Sequence, residues 1–130
     1  MGAFTVTNGT RHSVPRVPFL RIKETVLGKH YELSLVFVGD TRMRALNRAS
    51  RGKDSTTDIL SFPLSKESGE IFISVKEAAK RGRHYGLKEL PYLTFLFIHG
   101  CLHLKGYDHG QKMEYLEKKW SRHFGITLPS

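Results

Sequence analysis

The sequence predicts an α/β (α+β) fold, in which a small mixed sheet of four strands is covered by about five helices. Strand and helix patterns alternate along the chain, which favours a layered arrangement of sheet and helices. One helical segment near the C-terminal end is apolar on nearly every face, so it must lie in the centre of the fold. The chain of 130 residues has room for one hydrophobic core, so we expect residues 1–130 to form a single domain.

The N-terminal part of the chain predicts one strand and one helix. β-branched and aromatic residues predict a short strand over residues 4–7, which ends at the Asn8–Gly9 turn. Pro18 favours the start of a helix and Gly28 favours its end. We therefore expect a helix over about residues 18–27.

The middle of the chain predicts three strands and one helix. The stretch 31–38 is apolar on both faces, which is typical of a strand inside a sheet. Asp40 is expected to cap the next helix, which ends in a polar loop over residues 50–57. Residues 58–62 and 71–73 are further strands that can pair as a hairpin.

The C-terminal part predicts three helices. Ser74 and Glu77 form a capping box that starts a helix, and Gly86 ends it. A second helix over residues 91–105 is the segment that is apolar nearly all round. Apolar residues recur at helical spacing over residues 113–124, which predicts the last helix.

Basic residues outnumber acidic residues along the whole chain. Lys and Arg total 21 and Asp and Glu total 12, which gives a formal net charge of +9. Such a surplus attracts polyanions, and its dispersal favours nucleic acid or an anionic surface over a single charged tail. Solubility alone is the plainer explanation of the same surplus.

The rest of the composition favours a cytoplasmic location. The single cysteine, Cys101, cannot form an internal disulfide, which suits a reducing compartment. The first residues lack the basic and then apolar pattern of an export signal. The longest apolar run, residues 92–98, is too short to cross a bilayer, so we expect no membrane partner.

Three of the seven histidines lie close together, in the segment from His99 to His109. On a helix, His99 and His103 are four residues apart, so both imidazoles project from one face. Gly106 permits the left-handed conformation that ends a helix, so the backbone can bring His109 back to the same place. We therefore predict that these three histidines bind one metal ion. The other histidines lack this spacing and are expected at the surface: His12, His30, His84 and His123.

Three neutral imidazoles suit Zn(II), and we expect one zinc ion per chain. A site with three protein ligands keeps its fourth position open, which is typical of catalytic zinc. Cys101 points to another face of the helix and is expected to be a small core residue. Tyr107 and Asp108 are candidates for hydrogen bonds that orient the ligands, because ligating histidines donate their other N–H to a carboxylate or carbonyl. Ordinary turn residues are the equally weighted alternative for both.

The histidine spacing is also that of the H-x-x-x-H-x-x-G-x-x-H motif of metzincin proteases, which favours a zincin-like metal-dependent hydrolase fold. Those enzymes carry a glutamate as general base where this chain has Gly100. Peptide hydrolysis by that route therefore lacks its proton acceptor.

The segment from His99 to His109 resembles the H-G-x-L-H-L-x-G-Y-D-H signature of the YbeY-type endoribonucleases at every fixed position. Upstream, the run from Arg51 to Pro63 resembles the second motif of that family, an arginine followed by T-D-V/I-L-S-F-P. The resemblance covers roughly residues 31–120. Two departures lie in loops: the stretch before Gly69 is short, and Ser50 stands where the family often has an aromatic residue.

The resemblance implies a zinc-dependent endoribonuclease that cleaves single-stranded RNA and acts in small-subunit ribosomal RNA maturation and ribosome quality control. Its implied partners are ribosomal RNA and the ribosome. It also nominates Arg51 as catalytic, since a guanidinium can pair with a phosphate and stabilise charge in the transition state. The nucleophile, water or the 2′-hydroxyl of the RNA, stays open.

Two other functions remain as alternatives. A zinc-dependent protease agrees with the histidine spacing but is disfavoured by Gly100. A ribosome-associated or RNA-binding zinc module without catalysis agrees with the charge of +9, which explains RNA affinity without turnover.

Overall fold

The structure is a computed structural model that describes residues 2–128. Its elements, in chain order, are β1 (Phe4–Asn8), α1 (Phe19–Val26), β2 (Glu32–Phe37), α2 (Asp40–Arg51), β3 (Ile59–Ser65), β4 (Ser68–Ile73), α3 (Val75–His84), α4 (Glu89–Leu104) and α5 (Gln111–His123). The four-stranded sheet and the five helices of this part of the chain confirm the predicted α+β fold class.

The strands form one mixed sheet in the order β1-β2-β4-β3. β2 pairs in parallel with both β1 and β4, which confirms that the stretch 31–38 contributes an interior strand. β3 pairs antiparallel with β4, so the predicted hairpin is also confirmed.

Buried side chains lie on both faces of the sheet. On one face, a large cluster that includes Leu35, Ile71 and Phe97 joins the sheet to α1, α3, α4 and α5. On the other face, Met43 of α2 packs with Phe72 and its neighbours in a smaller cluster. Ile71 and Phe72 belong to different clusters because successive residues of a strand point to opposite faces. In the part of the chain that the structure describes, the fold therefore has three layers, and α2 is the helix that covers the second face.

α4 is the central helix, as its apolar composition predicts. Ten of its residues are buried, and it packs against β3, α1, α3 and α5. Cys101 is fully buried, so its predicted place in the core is confirmed. Within residues 2–128, no helix combines the length and the apolar character needed to cross a bilayer.

Some element ends differ from the sequence prediction. β3 does not end at Phe62 but continues through Pro63, which an edge strand tolerates because one side of it needs no ladder hydrogen bond. α2 is capped by Gly39, and Asp40 occupies its first turn, where a negative charge still favours the helix. α2 also continues to Arg51, so the polar loop is shorter than predicted.

Candidate functional site

The end of α4 and the turn that follows bring three histidines together. Gly106, at a φ of 107°, reverses the chain after α4. The N–H of Gly106 donates to the carbonyl of His103 at 3.0 Å, and the N–H of Tyr107 donates to the carbonyl of Leu102 at 3.1 Å. These two bonds form the glycine-dependent end of a helix that the sequence predicts. As a result, His109 returns beside the last turns of α4.

The three imidazoles converge on one point. His99, His103 and His109 each offer a ring nitrogen, and these nitrogens all lie within 4.8 Å of one another. The Nε2 atoms of His99 and His103 are 3.0 Å apart. His109 is exposed, and its ring centroid lies 4.9 Å from that of His103. A group of this kind could hold a metal ion.

Hydrogen bonds fix the orientation of the two histidines on α4. Nδ1 of His103 donates to the backbone carbonyl of Tyr107 at 3.1 Å. Nδ1 of His99 donates to Oε2 of Glu117 at 2.5 Å. In each ring this places the proton on Nδ1 and leaves the Nε2 lone pair directed at the shared centre. Ligating histidines in proteins are held in the same way.

The charge balance of this centre fits a cation. Two Nε2 lone pairs at 3.0 Å repel each other unless a proton or a metal ion lies between them. Burial, followed by the neighbouring His99 and His109, lowers the pKa of His103, so its neutral form is favoured. Neutral imidazole is the form that binds a metal ion. The residues present therefore fit the metal that the sequence predicts.

Glu117 is the functional residue that sequence reasoning missed. It lies on α5 and is only 9% exposed, which is unusual for a carboxylate unless it is paired. The signal was present in the sequence, because Glu117 follows Met113 by one helical turn and so shares the inward face of α5. A carboxylate on a buried face needs a hydrogen-bond or charge partner, because burial without one is costly. His99 is the partner of Glu117.

Tyr107 and Asp108 take different places. Tyr107 contacts the site through its backbone carbonyl, as the acceptor for His103. The side chain of Asp108 is exposed and lines the cavity beside the histidines. Among residues 2–128, the carboxylate that contacts one of these histidines is that of Glu117.

Arg51 lines the same cavity as the three histidines. This cavity has a volume of about 460 Å³ and is mostly polar, with Asp58 and Ser61 also in its wall. Arg51 is the last residue of α2, and Gly52 ends the helix at a φ of 70°. The structure therefore brings all the sequence-predicted site residues except Tyr107 to the wall of one cavity.

The loop after α2 is held in place by side chains of that helix. Asn47 donates to the carbonyl of Ser55 at 2.9 Å, and Asn47 is itself buried. Arg44 pairs with Asp54 at 2.8 Å, and Arg48 lies 3.5 Å from the same carboxylate. Within residues 2–128, Arg51 makes no ion pair, so its guanidinium can bind an anion in the cavity.

Asp58 is a buried carboxylate at the edge of this cavity. The hydroxyl of Tyr92 donates to it at 2.9 Å, and Nε of Arg81 lies 4.0 Å from the same oxygen. Burial, followed by the charge of Asp58, raises the pKa of Tyr92, so its hydroxyl keeps its proton at neutral pH. This contact joins the residue before β3 to α4, next to the histidines.

Gly100 faces the sheet, not the cavity centre. A Cβ atom at this position would lie 2.7 Å from Cδ1 of Ile59 and 3.1 Å from Oγ of Ser61. A glutamate side chain therefore has no room here. The packing agrees with the absence of the metzincin general base from the sequence.

The remaining histidines have the surface position that their spacing predicts. All of them are exposed: His12, His30, His84 and His123.

Comparison with known proteins connects this site to one family. The family model described as "Endoribonuclease YbeY" matches residues 10–124. A relative from Geobacillus kaustophilus named Endoribonuclease YbeY is 42% identical over 98 residues, which cover 64% of this chain and 63% of the relative. A relative of the same name from Leptospira interrogans is 39% identical over 112 residues, which cover 67% of this chain and 79% of the relative.

A solved structure shares the fold. The solution structure of a protein from Thermotoga maritima superposes with a TM-score of 0.70 at 25% sequence identity, and the match covers 94% of this chain and 89% of that chain. The sequence matches cover less of each relative than the structural match does. They span 63% of the length of the Geobacillus relative and 44% of the length of a relative from an Anaeromyxobacter species.

Proposed function

The chain belongs to the YbeY endoribonuclease family, and from this premise we propose that it is a zinc-dependent endoribonuclease that cleaves single-stranded RNA. One observation carries the proposal: the three-histidine group and Arg51 line the same polar cavity. A metal ion and a guanidinium beside one cavity are suited to phosphodiester cleavage.

His99, His103 and His109 are the proposed zinc ligands. Three imidazoles are a common ligand set for catalytic zinc, and they leave one position open. When bound, zinc supplies a Lewis acid that polarises a phosphoryl oxygen and acidifies water. Glu117 and the carbonyl of Tyr107 hold the two helical imidazoles in the orientation that binding needs.

Arg51 is proposed to bind the scissile phosphate. Arg51 lies in the wall of the cavity, and its guanidinium has no internal carboxylate partner among the described residues. A guanidinium binds two phosphate oxygens at once and stabilises the charge that develops there in the transition state. Arg51 is the last residue of α2, and the loop that follows is held to this helix by the hydrogen bond from Asn47 to the carbonyl of Ser55. This bond keeps the end of the helix in position.

We propose single-stranded ribosomal RNA as the substrate and the ribosome as the partner. The proposed compartment is the cytoplasm. The net charge of +9 supports an RNA substrate, because basic side chains bind phosphates without regard to sequence. The proposed role is in maturation of small-subunit ribosomal RNA and in ribosome quality control, which is the role that the family resemblance implies.

Two alternative functions, a zinc protease and a non-catalytic RNA-binding zinc module, can be distinguished from the nuclease by experiment. Gly100 packs against Ile59 and leaves no room for a protease-type glutamate, which disfavours a zinc protease. The charge of +9 also supports an RNA-binding module whose zinc has no catalytic role.

The test compares the protein as purified, the protein treated with a chelator and the chelated protein given zinc again. Each sample is incubated with single-stranded RNA, single-stranded DNA and casein. We expect cleavage of RNA alone, loss of cleavage on chelation and recovery with zinc. Cleavage of casein with intact RNA would establish the protease, and RNA binding without cleavage would establish the binding module.

A further inference from the structure

A second cavity adjoins the histidine site. It has a volume of about 570 Å³, which is within the range of ligand pockets, and its lining is mostly apolar. The two cavities share part of their walls, including Asp58, Arg81, His99 and His109. A ligand that reaches from one cavity to the other therefore passes the proposed metal site.

Aromatic rings form a row along this second cavity. The ring of Tyr85 stacks on that of Tyr92 with centroids 6.1 Å apart and an angle of 19°. Tyr92 contacts Phe95 at 6.0 Å, and Phe95 contacts His99 at 6.1 Å. Tyr85 is 57% exposed, so it presents aromatic surface to the solvent at the outer end of the row.

The position of Tyr85 is fixed by its neighbours. It follows α3 directly, and its backbone N–H donates to the carbonyl of Arg81 at 3.1 Å. The ring of His84 packs edge-on against it, with centroids 5.7 Å apart. An exposed aromatic ring held in this way is a ready platform for stacking.

The charges around the row suit a nucleotide. Arg81 lies where the two cavities meet, and its side chain is 51% exposed although it pairs with Asp58. A guanidinium here can contact a phosphate, while the rings offer a flat apolar surface to a base. Phosphate and a flat base occur together in nucleotides, and the adjoining three-histidine cavity favours a nucleotide that is part of a single strand of nucleic acid.

We propose that this second cavity binds a nucleobase of the substrate RNA, stacked on Tyr85, next to the phosphate bound at the three-histidine site. The inference rests on the proposed function and names a base-binding site for the same strand. A base paired in a duplex stays within its own stack and cannot enter the cavity. The site therefore gives a physical reason for a preference for single strands.

The experiment measures binding without cleavage. Fluorescence anisotropy gives the Kd for a short 2′-O-methyl single-stranded RNA and for a matched oligonucleotide that has the same backbone and no bases. The proteins are wild type, Tyr85→Leu, which removes the ring, and Tyr85→Phe, which keeps it. The control is Tyr115→Leu, because Tyr115 is 64% exposed on α5 and lies outside the cavity. Thermal melting checks that each variant is folded.

We expect Tyr85→Leu to weaken binding of the base-containing strand about five- to tenfold, the lower end of the range for one stacked base. It should leave binding of the abasic strand unchanged, and Tyr85→Phe and Tyr115→Leu should bind both strands as wild type does. An equal loss on both strands, or equal effects of Tyr85→Leu and Tyr115→Leu, would overturn the proposal. So would a wild type that binds neither strand.

The result of this binding experiment can be distinguished from the result of the cleavage experiment. Ring-dependent binding by a protein that does not cleave RNA would reject the nuclease and keep the base site. Cleavage by a protein whose binding does not depend on the ring would reject the base site alone.

Discussion

Oε2 of Glu117 lies 2.5 Å from Nδ1 of His99, and this contact connects α5 to the helix that carries two of the clustered histidines. The carboxylate is buried, so His99 is its compensating partner. The same contact keeps the proton of His99 on Nδ1 and directs Nε2 toward His103. Glu117 thus sets both the tautomer and the direction of a proposed ligand.

Removing Glu117 should weaken metal binding without abolishing it. We expect Glu117→Ala to lower zinc affinity about 10- to 100-fold, because His99 loses the partner that orients it. Glu117→Gln should lose less, since an amide oxygen still accepts the N–H. Competition with a chromogenic chelator measures the affinity. Glu114→Gln, on the exposed face of the same helix, is the matched control, and an affinity equal to that control in both Glu117 variants would refute the role.

Arg51 should matter for catalysis and not for metal binding. We expect Arg51→Ala to keep its zinc and its melting temperature but to lose about 10²- to 10³-fold in the rate of RNA cleavage, the usual cost of one transition-state contact. Arg21→Ala removes the same charge from an exposed position on α1 and should cleave as wild type does. If the two variants cleave equally, Arg51 has no catalytic role.

The metal-free protein should become less stable in acid because of His103. Its pKa in the folded chain is lowered, first by burial and then by His99 and His109. Below about pH 6.5 the unfolded chain takes up a proton that the folded chain does not, so stability falls as the pH drops toward the folded pKa. After chelation, the melting temperature of wild type should fall more between neutral and mildly acidic pH than that of His103→Gln. Parallel curves for the two proteins would contradict this assignment.

Gly100 should be intolerant of a side chain. We expect Gly100→Ala to cost about 1–3 kcal/mol of unfolding free energy, because the added Cβ crowds Ile59 and Ser61. Urea denaturation measures the loss. An unfolding free energy equal to that of wild type would show that the sheet and α4 can separate to accept the added Cβ.

The sequence predicts most of this fold because its signals are local. The all-round apolar character of α4 and the glycine at 106 each depend on nearby residues, and both are confirmed. Half of the predicted capping box is confirmed: Ser74 caps α3 by accepting from the N–H of Glu77, whereas the N–H of Ser74 donates to the carbonyl of Asp58. The continuation of β3 through Pro63 was missed because it depends on β3 being an edge strand, which is a property of the whole sheet.

The candidate site also combines contacts that nearby residues predict with contacts that only the packed fold creates. His99, His103 and His109 come together through one helix and one turn, so their spacing alone predicts their proximity. The contacts of Glu117 with His99 and of Tyr92 with Asp58 join elements far apart in sequence, so they follow only from the packing of those elements. The single domain over residues 1–130 stays a prediction.

The most direct test of the central claim is the recovery of RNA cleavage as zinc is returned to chelated protein. The proteins are wild type, His103→Ala and the control His30→Ala, whose histidine is exposed and outside the cluster. We expect cleavage by wild type and by His30→Ala to recover and to saturate at about one zinc per chain, because the three histidines form one site. His103→Ala should stay inactive over the same range. Cleavage that survives chelation, or that recovers equally in His103→Ala, would contradict the account.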